Sequence, residues 1–437
     1  MPGTCVIGLQ WGDEAKGKIV DLLTEHHEIV VRYQGGANAG HTVVKDGRKF
    51  KLSLIPSGIF RDHVRCVVAA GVVLNPGAIL EEIDRLRVQG VRIEDNLTIS
   101  DRAHVIFPWH SAEDRLYNNI AGGEPIGTTM RGIGPCYRDK VGRSLAIRFG
   151  DLFRSDLHDR IKTIVDVKNR IFRGLFDELD SSMGLAGWDA DLNADKIHAE
   201  YAVYAKKLRP FASDTNAYLL DAVDQDRRIL FEGAQGSLLD IDHGTFPYVT
   251  SSNSSGLGVA AGSGVPSRFV RKMYGVVKAY TTRVGGGPFP TEQDNEIGSR
   301  IREQGNEYGT VTKRPRRCGW FDAVAARYSA RLGGVDVLCV MLLDVLSGID
   351  ELKICTGYKL DGVVSDRFPS MIEDLRNVEP VYESLPGWKE DITGARSFAE
   401  LPKEAVNYVK RLGELLGRPV EIVSVGPDRV QTIRVQG

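Results

Sequence analysis

The chain has little of what would mark it for secretion, for a membrane or for nucleic acid. Its six cysteines, Cys5, Cys66, Cys136, Cys318, Cys339 and Cys355, are scattered without a C-x-x-C pair. That spacing argues against a disulfide framework and against a zinc site. Cys5, Cys66, Cys339 and Cys355 lie in apolar, strand-like runs and read as reduced core residues. No apolar stretch reaches the length needed to cross a bilayer, and the first residues lead into a strand-like run without a leader pattern. The cytoplasm is the expected compartment. Formal net charge is only −2 over 437 residues, so no overall field favours nucleic acid or an anionic membrane surface. Internal repeats and a clean linker are also missing, so one domain over 1–437 with subdomains is expected rather than two. The apolar and charged fractions, 42% and 26%, are those of a soluble globular protein.

Apolar runs bounded by turns predict buried strands at Cys5–Leu9, Glu28–Arg32, Val64–Ala70, Ile229–Glu232, Tyr274–Ala279, Val337–Leu343 and Val420–Val425. Helical spacing falls between them, at Ala78–Gln89, around Phe321–Leu332 and at Leu401–Leu416. This alternation predicts an α/β fold with a largely parallel central sheet and flanking helices. Around 155–223 the pattern becomes long, charged and helical, with Ile161, Ile164, Val165, Ile171 and Phe172 at apolar spacing. It reads as a helical insertion, a subdomain on the flank of the sheet.

One further absence is local. Gly12-Asp13-Glu14-Ala15-Lys16-Gly17-Lys18 follows the first strand and precedes an amphipathic helix (Ile19, Val20, Leu22, Leu23). A strand, a Gly/Lys-rich turn and a helix N-terminus make a P-loop-like phosphate cradle, because backbone N–H groups converge on an anion. The G-x-x-x-x-G-K spacing is met, but Ile19 stands where a Ser or Thr would give magnesium its hydroxyl. Inside the loop sits an acid pair, Asp13-Glu14. A carboxylate among phosphates either holds a metal or handles a proton.

Other Gly/Ser-rich loops fall at 35–42, 122–134, 233–244, 250–264 and 284–291, where an open α/β sheet lines its ligand crevice. In the first, small residues permit close approach while Asn38 and His41 offer directional polar groups. In the third, glycines flank Gln235, and Asp240 or Asp242 could stand for a Walker B metal ligand. Thr312-Lys313-Arg314-Pro315-Arg316-Arg317 packs four cations into six residues. With Pro315 stiffening it, and read as opening a helix, this run suits a carboxylate or phosphate better than nucleic acid. Finally, Asp344 closes an apolar strand. A buried carboxylate can accept from guanine N1–H and N2–H together, whereas adenine N1 is an acceptor, a preference of roughly tenfold or more.

These motifs, in order and over essentially the whole chain, closely resemble the adenylosuccinate synthetase family. The resemblance rests on Gln10-Trp11-Gly12-Asp13-Glu14, Asn38-Ala39-Gly40-His41-Thr42, Ile126–Thr129 with Arg131–Pro135, and Phe231–Gly236 with Leu239–Gly244. It continues through Tyr248–Asn253, Gly287–Glu292 and Gly426–Arg429. It implies a GTP-dependent ligase that forms adenylosuccinate from IMP and L-aspartate through 6-phosphoryl-IMP, in AMP biosynthesis. By that resemblance the catalytic set is Asp13, His41, Lys16 and Gln235. Asp13 takes the proton from N1 of IMP so that O6 attacks the γ-phosphate. His41 stabilises charge developing toward the GDP leaving group, and Lys16 contacts the transferring phosphoryl. Mg2+ falls to Asp13 and the backbone carbonyl of Gly40, which would answer the missing hydroxyl at Ile19. IMP falls to Asn38, Thr129, Gln235, Thr250 and Arg314, with Arg143 crossing a homodimer interface into the neighbouring site. Aspartate falls to Thr312 and Arg314. GTP falls to Gly12, Glu14, Ala15, Gly17, Lys18, Gly40, Thr42, Arg316, Leu342, Asp344, Ser424 and Gly426. No nucleic acid or membrane partner is implied.

Three places depart from the family pattern. Ala15 replaces a glycine, which a negative φ would make harmless. Lys313 and Pro315 shift charge and stiffen the aspartate loop. Leu342 replaces a lysine whose aliphatic stem covers the base, so leucine keeps the packing and loses the charge. Two rivals are a synthetase of the same fold acting on dGMP, and a P-loop-like GTP-binding regulator without ligase chemistry. The first would lack the acid at position 13, and the second would need neither that acid nor the arginine loop.

Overall fold

A computed structural model of the chain describes residues 3–38, 40–45, 48–120, 127–178, 192–309 and 315–435, with backbone alone at 41, 42, 44, 45, 118–120 and 176–178. The parallel sheet is present and larger than the sequence alone showed. Ten strands lie side by side in the order Thr432–Arg434, Val420–Ser424, Val337–Met341, Val270–Lys278, Gly3–Gly8, Ile229–Glu232, Ile29–Arg32, Arg65–Val68, Leu97–Ser100 and Ala212–Ser213. All neighbours run parallel except the Thr432–Arg434 edge.

Successive side chains of a strand point to opposite faces, and here both faces are covered. Val6, Val30, Cys66 and Val68 join one apolar cluster, while Cys5, Ile7, Ile29, Val31 and Val67 join the other. That is why these strands read as continuous apolar runs without polar alternation. Helices Lys16–Thr24, Pro76–Val88, Leu157–Glu178 and Ala194–Leu208 close the first face. Helices Thr215–Asp224, Ala323–Leu332 and Lys403–Leu416 close the second. Side-chain caps fix several helix starts. Ala78 N–H donates to Asn75 Oδ1 at 3.0 Å with Pro76 in the first turn, and Ala325 N–H donates to Asp322 Oδ1 at 3.0 Å. Such caps are each worth about 1 kcal/mol.

Several expectations are corrected. The stretch around 155–223 is not purely helical, because Ala212–Ser213 adds an edge strand paired with Ile99 and Ser100. The basic run does not open a helix. Arg317–Gly319 pairs antiparallel with Thr281–Arg283, and the helix begins only at Ala323, behind its Asp322 cap. The loop at 250–264 contains a short helix, Gly258–Ser263. A second, mostly antiparallel sheet joins Phe321–Asp322, Glu351–Leu360, Val363–Ser365 and Glu379–Pro386. All six cysteines are free and buried. Among the described residues no helix is long and apolar enough to cross a membrane.

Candidate active site

The C-terminal ends of Gly3–Gly8, Ile29–Arg32, Ile229–Glu232, Val337–Met341 and Val420–Ser424 open on one cavity of about 870 Å³. This is where open parallel sheets hold ligands. Most residues singled out from the sequence line it. Gly12, Asp13, Ala15, Lys16, Gly17 and Lys18 come from the cradle, and Asn38, Gly40, Thr129, Gln235 and Thr250 from neighbouring loops. Arg316, Leu342, Asp344, Ser424 and Gly426 complete the far wall. Arg143 does not line it. This arginine is exposed, with φ 67°, at the C-terminal end of helix Ile133–Gly142. Thr312, Lys313 and Arg314 lie outside the described residues, and His41 and Thr42 are described only as backbone of strand His41–Lys45.

The cradle loop is held in the left-handed region at Gly12 (φ 87°), Asp13 (φ 60°) and Ala15 (φ 63°). The condition under which Ala15 would be harmless, a negative φ, is not met, so its Cβ carries a steric cost. Glu14 turns inward, away from the cavity, and is fully buried. Its carboxylate accepts from the N–H of Gln10 (3.1 Å) and of Gly12 (2.9 Å), and from Lys16 Nζ (2.5 Å). Room for it comes from Gly8, where a Cβ would lie 2.2 Å from Glu14 Oε2. Of the acid pair, only Asp13 faces the ligand space. Its side chain, 38% exposed, meets Arg316 Nη2 at 2.8 Å.

Arg316 is held from behind. Its Nη1 donates to Glu307 Oε2 at 2.6 Å. Burial works against charge on this guanidinium, but Asp13 and Glu307 hold its pKa above the ordinary value. Glu307 is itself opposed by burial, yet Lys278 and Arg316 keep it below the usual carboxylate range.

At the far end Lys18 Nζ donates to Ser424 Oγ (2.7 Å), Gly426 O (2.7 Å) and Gln431 O (3.2 Å). Burial lowers its pKa to about 8, with Asp344 and Asp428 resisting. Burial raises Asp344, with Lys18 resisting. Leu342 (φ 56°) turns the chain into this end and packs against both apolar clusters. On the opposite side Gln235 Nε2 donates to Asn38 Oδ1 at 3.2 Å, joining two glycine loops.

Four buried polar atoms on the cavity wall have no hydrogen-bond partner among the described residues: Arg32 Nη2, Gln235 Oε1, Arg316 Nε and Asp344 Oδ1. Buried polar groups are nearly always paired. Two donors and two acceptors left open around one space are a template for a polar ligand.

Sequence reasoning missed several wall residues. Lys49 and Lys51 line the cavity from strand Arg48–Leu52, whose alternate residues Phe50 and Leu52 are buried. That alternation was readable, but the strand was too short and too charged to stand out. Arg283, behind the wall rather than on it, was also missed. It is almost fully buried, has no carboxylate hydrogen-bond partner among the described residues, and donates to Gly286 O (3.0 Å), Pro288 O (2.6 Å) and Thr245 Oγ1 (3.2 Å). It also lies over the ring of Trp11 at 4.9 Å. It thereby ties the loop at 284–291 to the one carrying Asp13. The Walker B reading of Asp240 is corrected. That carboxylate accepts from the N–H of Asp242, His243 and Ser255 and from Ser255 Oγ, so it fixes a turn.

No group of three or more His, Cys, Asp or Glu able to hold a metal occurs among the described residues. The cavity offers oxygen instead, from the Asp13 carboxylate and the Gly40 backbone. A hard cation that keeps water and phosphate oxygens in its shell suits so sparse a donor set.

Fold and site define a nucleotide-binding α/β enzyme built around a P-loop-like cradle with an acid inside it. The model of the adenylosuccinate synthetase family matches residues 5–433. The chain is 50% identical over 435 residues to an adenylosuccinate synthetase of Caldanaerobacter subterraneus subsp. tengcongensis, covering 99% of each. It belongs to the adenylosuccinate synthetase family. It is a GTP-dependent ligase that joins IMP to L-aspartate in AMP biosynthesis. The structure of fully ligated adenylosuccinate synthetase from Plasmodium falciparum matches at TM-score 0.89 and 37% identity, over 100% of both chains. A cyanophage S-2L succinoaminodeoxyadenylate synthetase bound to dGMP and dATP matches at TM-score 0.62 and 19% identity, over 100% of this chain and 96% of that one. This second likeness is one of fold. The regulator rival falls with the family assignment.

Proposed function

We propose that the ligation proceeds by two transfers in this cavity, with the residues carried by the resemblance in the roles it gives them. Asp13 takes the N1 proton of IMP, and O6 then attacks the γ-phosphate of GTP, releasing GDP. The amine of aspartate next displaces phosphate from C6 of 6-phosphoryl-IMP. A purine O6 is a poor leaving group until phosphorylated, so the first transfer makes the second feasible. In-line transfer needs positioning and charge neutralisation more than covalent help. Lys16 supplies charge at the transferring phosphoryl, and His41 donates toward the leaving group. Asn38, Thr129, Gln235 and Thr250 hold IMP; Thr312 and Arg314 hold the carboxylates of aspartate. Arg316, Asp344, Lys18, Ser424 and Gly426 hold GTP. Mg2+ is assigned to the Asp13 carboxylate and the Gly40 carbonyl, where it would neutralise phosphate charge when bound.

The observation that carries this reading is the set of unpartnered buried atoms on the wall. Gln235, whose Nε2 donates to Asn38, leaves its Oε1 open, and Asp344, which feels the charge of Lys18, leaves its Oδ1 open among the described residues. They mark separate purine-reading positions. Arg143, exposed and off this chain's cavity, fits a role in a neighbouring site of a homodimer. One domain over 1–437, with the helical subdomain around 155–223, is supported by Ile161, Ile164 and Phe172 sharing a cluster with the sheet. The six buried thiols suit a reducing cytoplasm.

The test is adenylosuccinate formation from IMP, L-aspartate, Mg2+ and GTP or ATP, with wild type and Asp13→Ala. Asp13→Ala should abolish turnover at nearly unchanged Tm. Retained turnover would assign the base elsewhere, and no product with any purine monophosphate would overturn the reading.

A further inference from the structure

We infer that Glu307 is a positioning residue that decides which of the two carboxylate partners of Arg316 gives way when the phosphate donor binds. The inference rests on the assignment of Arg316 to the donor site. Glu307 is 1% exposed, and both its oxygens are engaged. Oε1 accepts from Lys278 Nζ and from Tyr280 O–H, each at 2.6 Å, and Oε2 accepts from Arg316 Nη1 at 2.6 Å. The backbone repeats the pairing, because Arg316 N–H donates to Glu307 O at 2.9 Å. Arg302 Nε donates to Arg316 O at 2.9 Å. The guanidinium is thus fixed at its inner edge by a carboxylate that is itself neutralised by the buried Lys278. Lys278 N–H and Tyr280 O are in turn joined to the side chain of Gln10, just before the cradle, at 3.0 and 2.8 Å.

The outer edge is different. Nη2 meets the half-exposed Asp13, and Nε is buried with no partner among the described residues while Arg316 lines the cavity. Charges alternate in a row: Lys278, Glu307, Arg316, Asp13. An ion pair in a low-dielectric interior resists disruption more than one reaching solvent. An incoming polyphosphate therefore displaces Asp13 from Nη2, and Nε gains an acceptor, while Glu307 keeps the guanidinium where it is. The exchange frees the Asp13 carboxylate for its work as base. Without Glu307, Arg316 would be free to follow Asp13, and donor binding would lose a preset cation.

A double-mutant cycle tests this through KM for GTP, KM for IMP and kcat. Glu307→Gln should raise KM for GTP by about tenfold or more, the worth of one charge-assisted contact, with KM for IMP changed less than about twofold on the same argument. In an Arg316→Ala background it should add nothing to KM for GTP. An equal rise with and without Arg316, or a fall in Tm with KM for GTP unmoved, would overturn the inference. If Arg316→Ala itself leaves KM for GTP unchanged, the donor-site assignment fails instead. Should Glu307→Gln not fold, because Lys278 is left buried without its acid, Lys278→Met/Glu307→Gln keeps the interior neutral. The same rise in KM for GTP is expected of that pair, and its absence would overturn the inference.

Discussion

Ala15 sits at φ 63° and ψ 32°, one position before the helix of the phosphate cradle. In that region the Cβ of an L-residue crowds its own carbonyl, at roughly 1–2 kcal/mol. Replacing it by glycine removes the crowding but adds about 0.5–1 kcal/mol of unfolded-chain entropy. Ala15→Gly should therefore raise stability by about 0.5–1 kcal/mol, seen as a higher urea midpoint at unchanged slope. A lower midpoint would mean that the methyl, which packs against the first apolar cluster, contributes more than the strain costs. The sequence marked Ala15 as standing where the family has glycine but could not give its φ, which depends on the seating of Glu14 and Gly12 around it. Asp344 is the contrasting case: the sequence reads it as closing an apolar strand. That strand ends at Met341, and Asp344 sits in the 3-10 turn Leu343–Leu346 that follows, after the left-handed Leu342. Its Oδ1 is buried and open. Asp344→Asn replaces one acceptor by a donor against guanine N1–H or N2–H. KM for GTP should rise about tenfold or more while KM for IMP holds. Equal use of GTP and ATP by the wild-type chain would remove guanine reading from Asp344.

Elements were legible where both faces of a strand are buried, and much less so where tertiary pairing alone defines them. Ile229–Glu232 falls on its predicted bounds, because the buried apolar run Ile229–Phe231 ends on Glu232, which is buried with it. Ala212–Ser213 could not be seen, being two residues long and drawn into strand geometry only by Ile99 and Ser100. Phe321–Asp322 was read into a helix for a related reason. Its apolar spacing continues into Ala323–Leu332, but Asp322 takes extended geometry as the cap of that helix. Capping comes at a cost, because the cap is buried. Burial pushes Asp322 up to about 6, although Ala325 N–H and Tyr358 O–H donate to it. In the unfolded chain an aspartate titrates near 3.9. Between those two values the folded chain holds a proton that the unfolded chain has released. Stability therefore falls as pH rises from 4 through 6, and stays reduced above it, by up to about 3 kcal/mol. Asn caps a helix as well as Asp and does not titrate. Asp322→Asn should thus be more stable than wild type at pH 8, by about 1–3 kcal/mol, with the gain vanishing near pH 4 in urea titrations. A difference independent of pH would show that the substitution acts through packing.

At the scale of the whole molecule, the loops at 12–18, 35–42 and 233–244 were joined to one crevice from their strand-end positions, and the cavity does gather residues from all three. Such reasoning works because a parallel sheet delivers every C-terminal strand end to the same side. It cannot find Glu307 or Arg283. Each reaches the site through other side chains, and each comes from a segment with no motif. The remaining question of scale is whether one chain completes the site. Arg143 stands outside its own cavity, exposed, with φ 67° at the end of helix Ile133–Gly142. Val141, two residues before it on the same helix, is exposed as well, at 79%. If Arg143 serves the neighbouring cavity, Arg143→Ala and Asp13→Ala homodimers should each be nearly inactive. Mixing them should then restore activity, because a hybrid dimer holds one cavity with both residues intact. At equal mixing half of the dimers are hybrids, each with one working site, so about a quarter of wild-type turnover is the expected ceiling. The measurement is adenylosuccinate formation after subunit exchange, with hybrid content read by native mass spectrometry. Hybrids that form without recovering activity would place the work of Arg143 within its own chain.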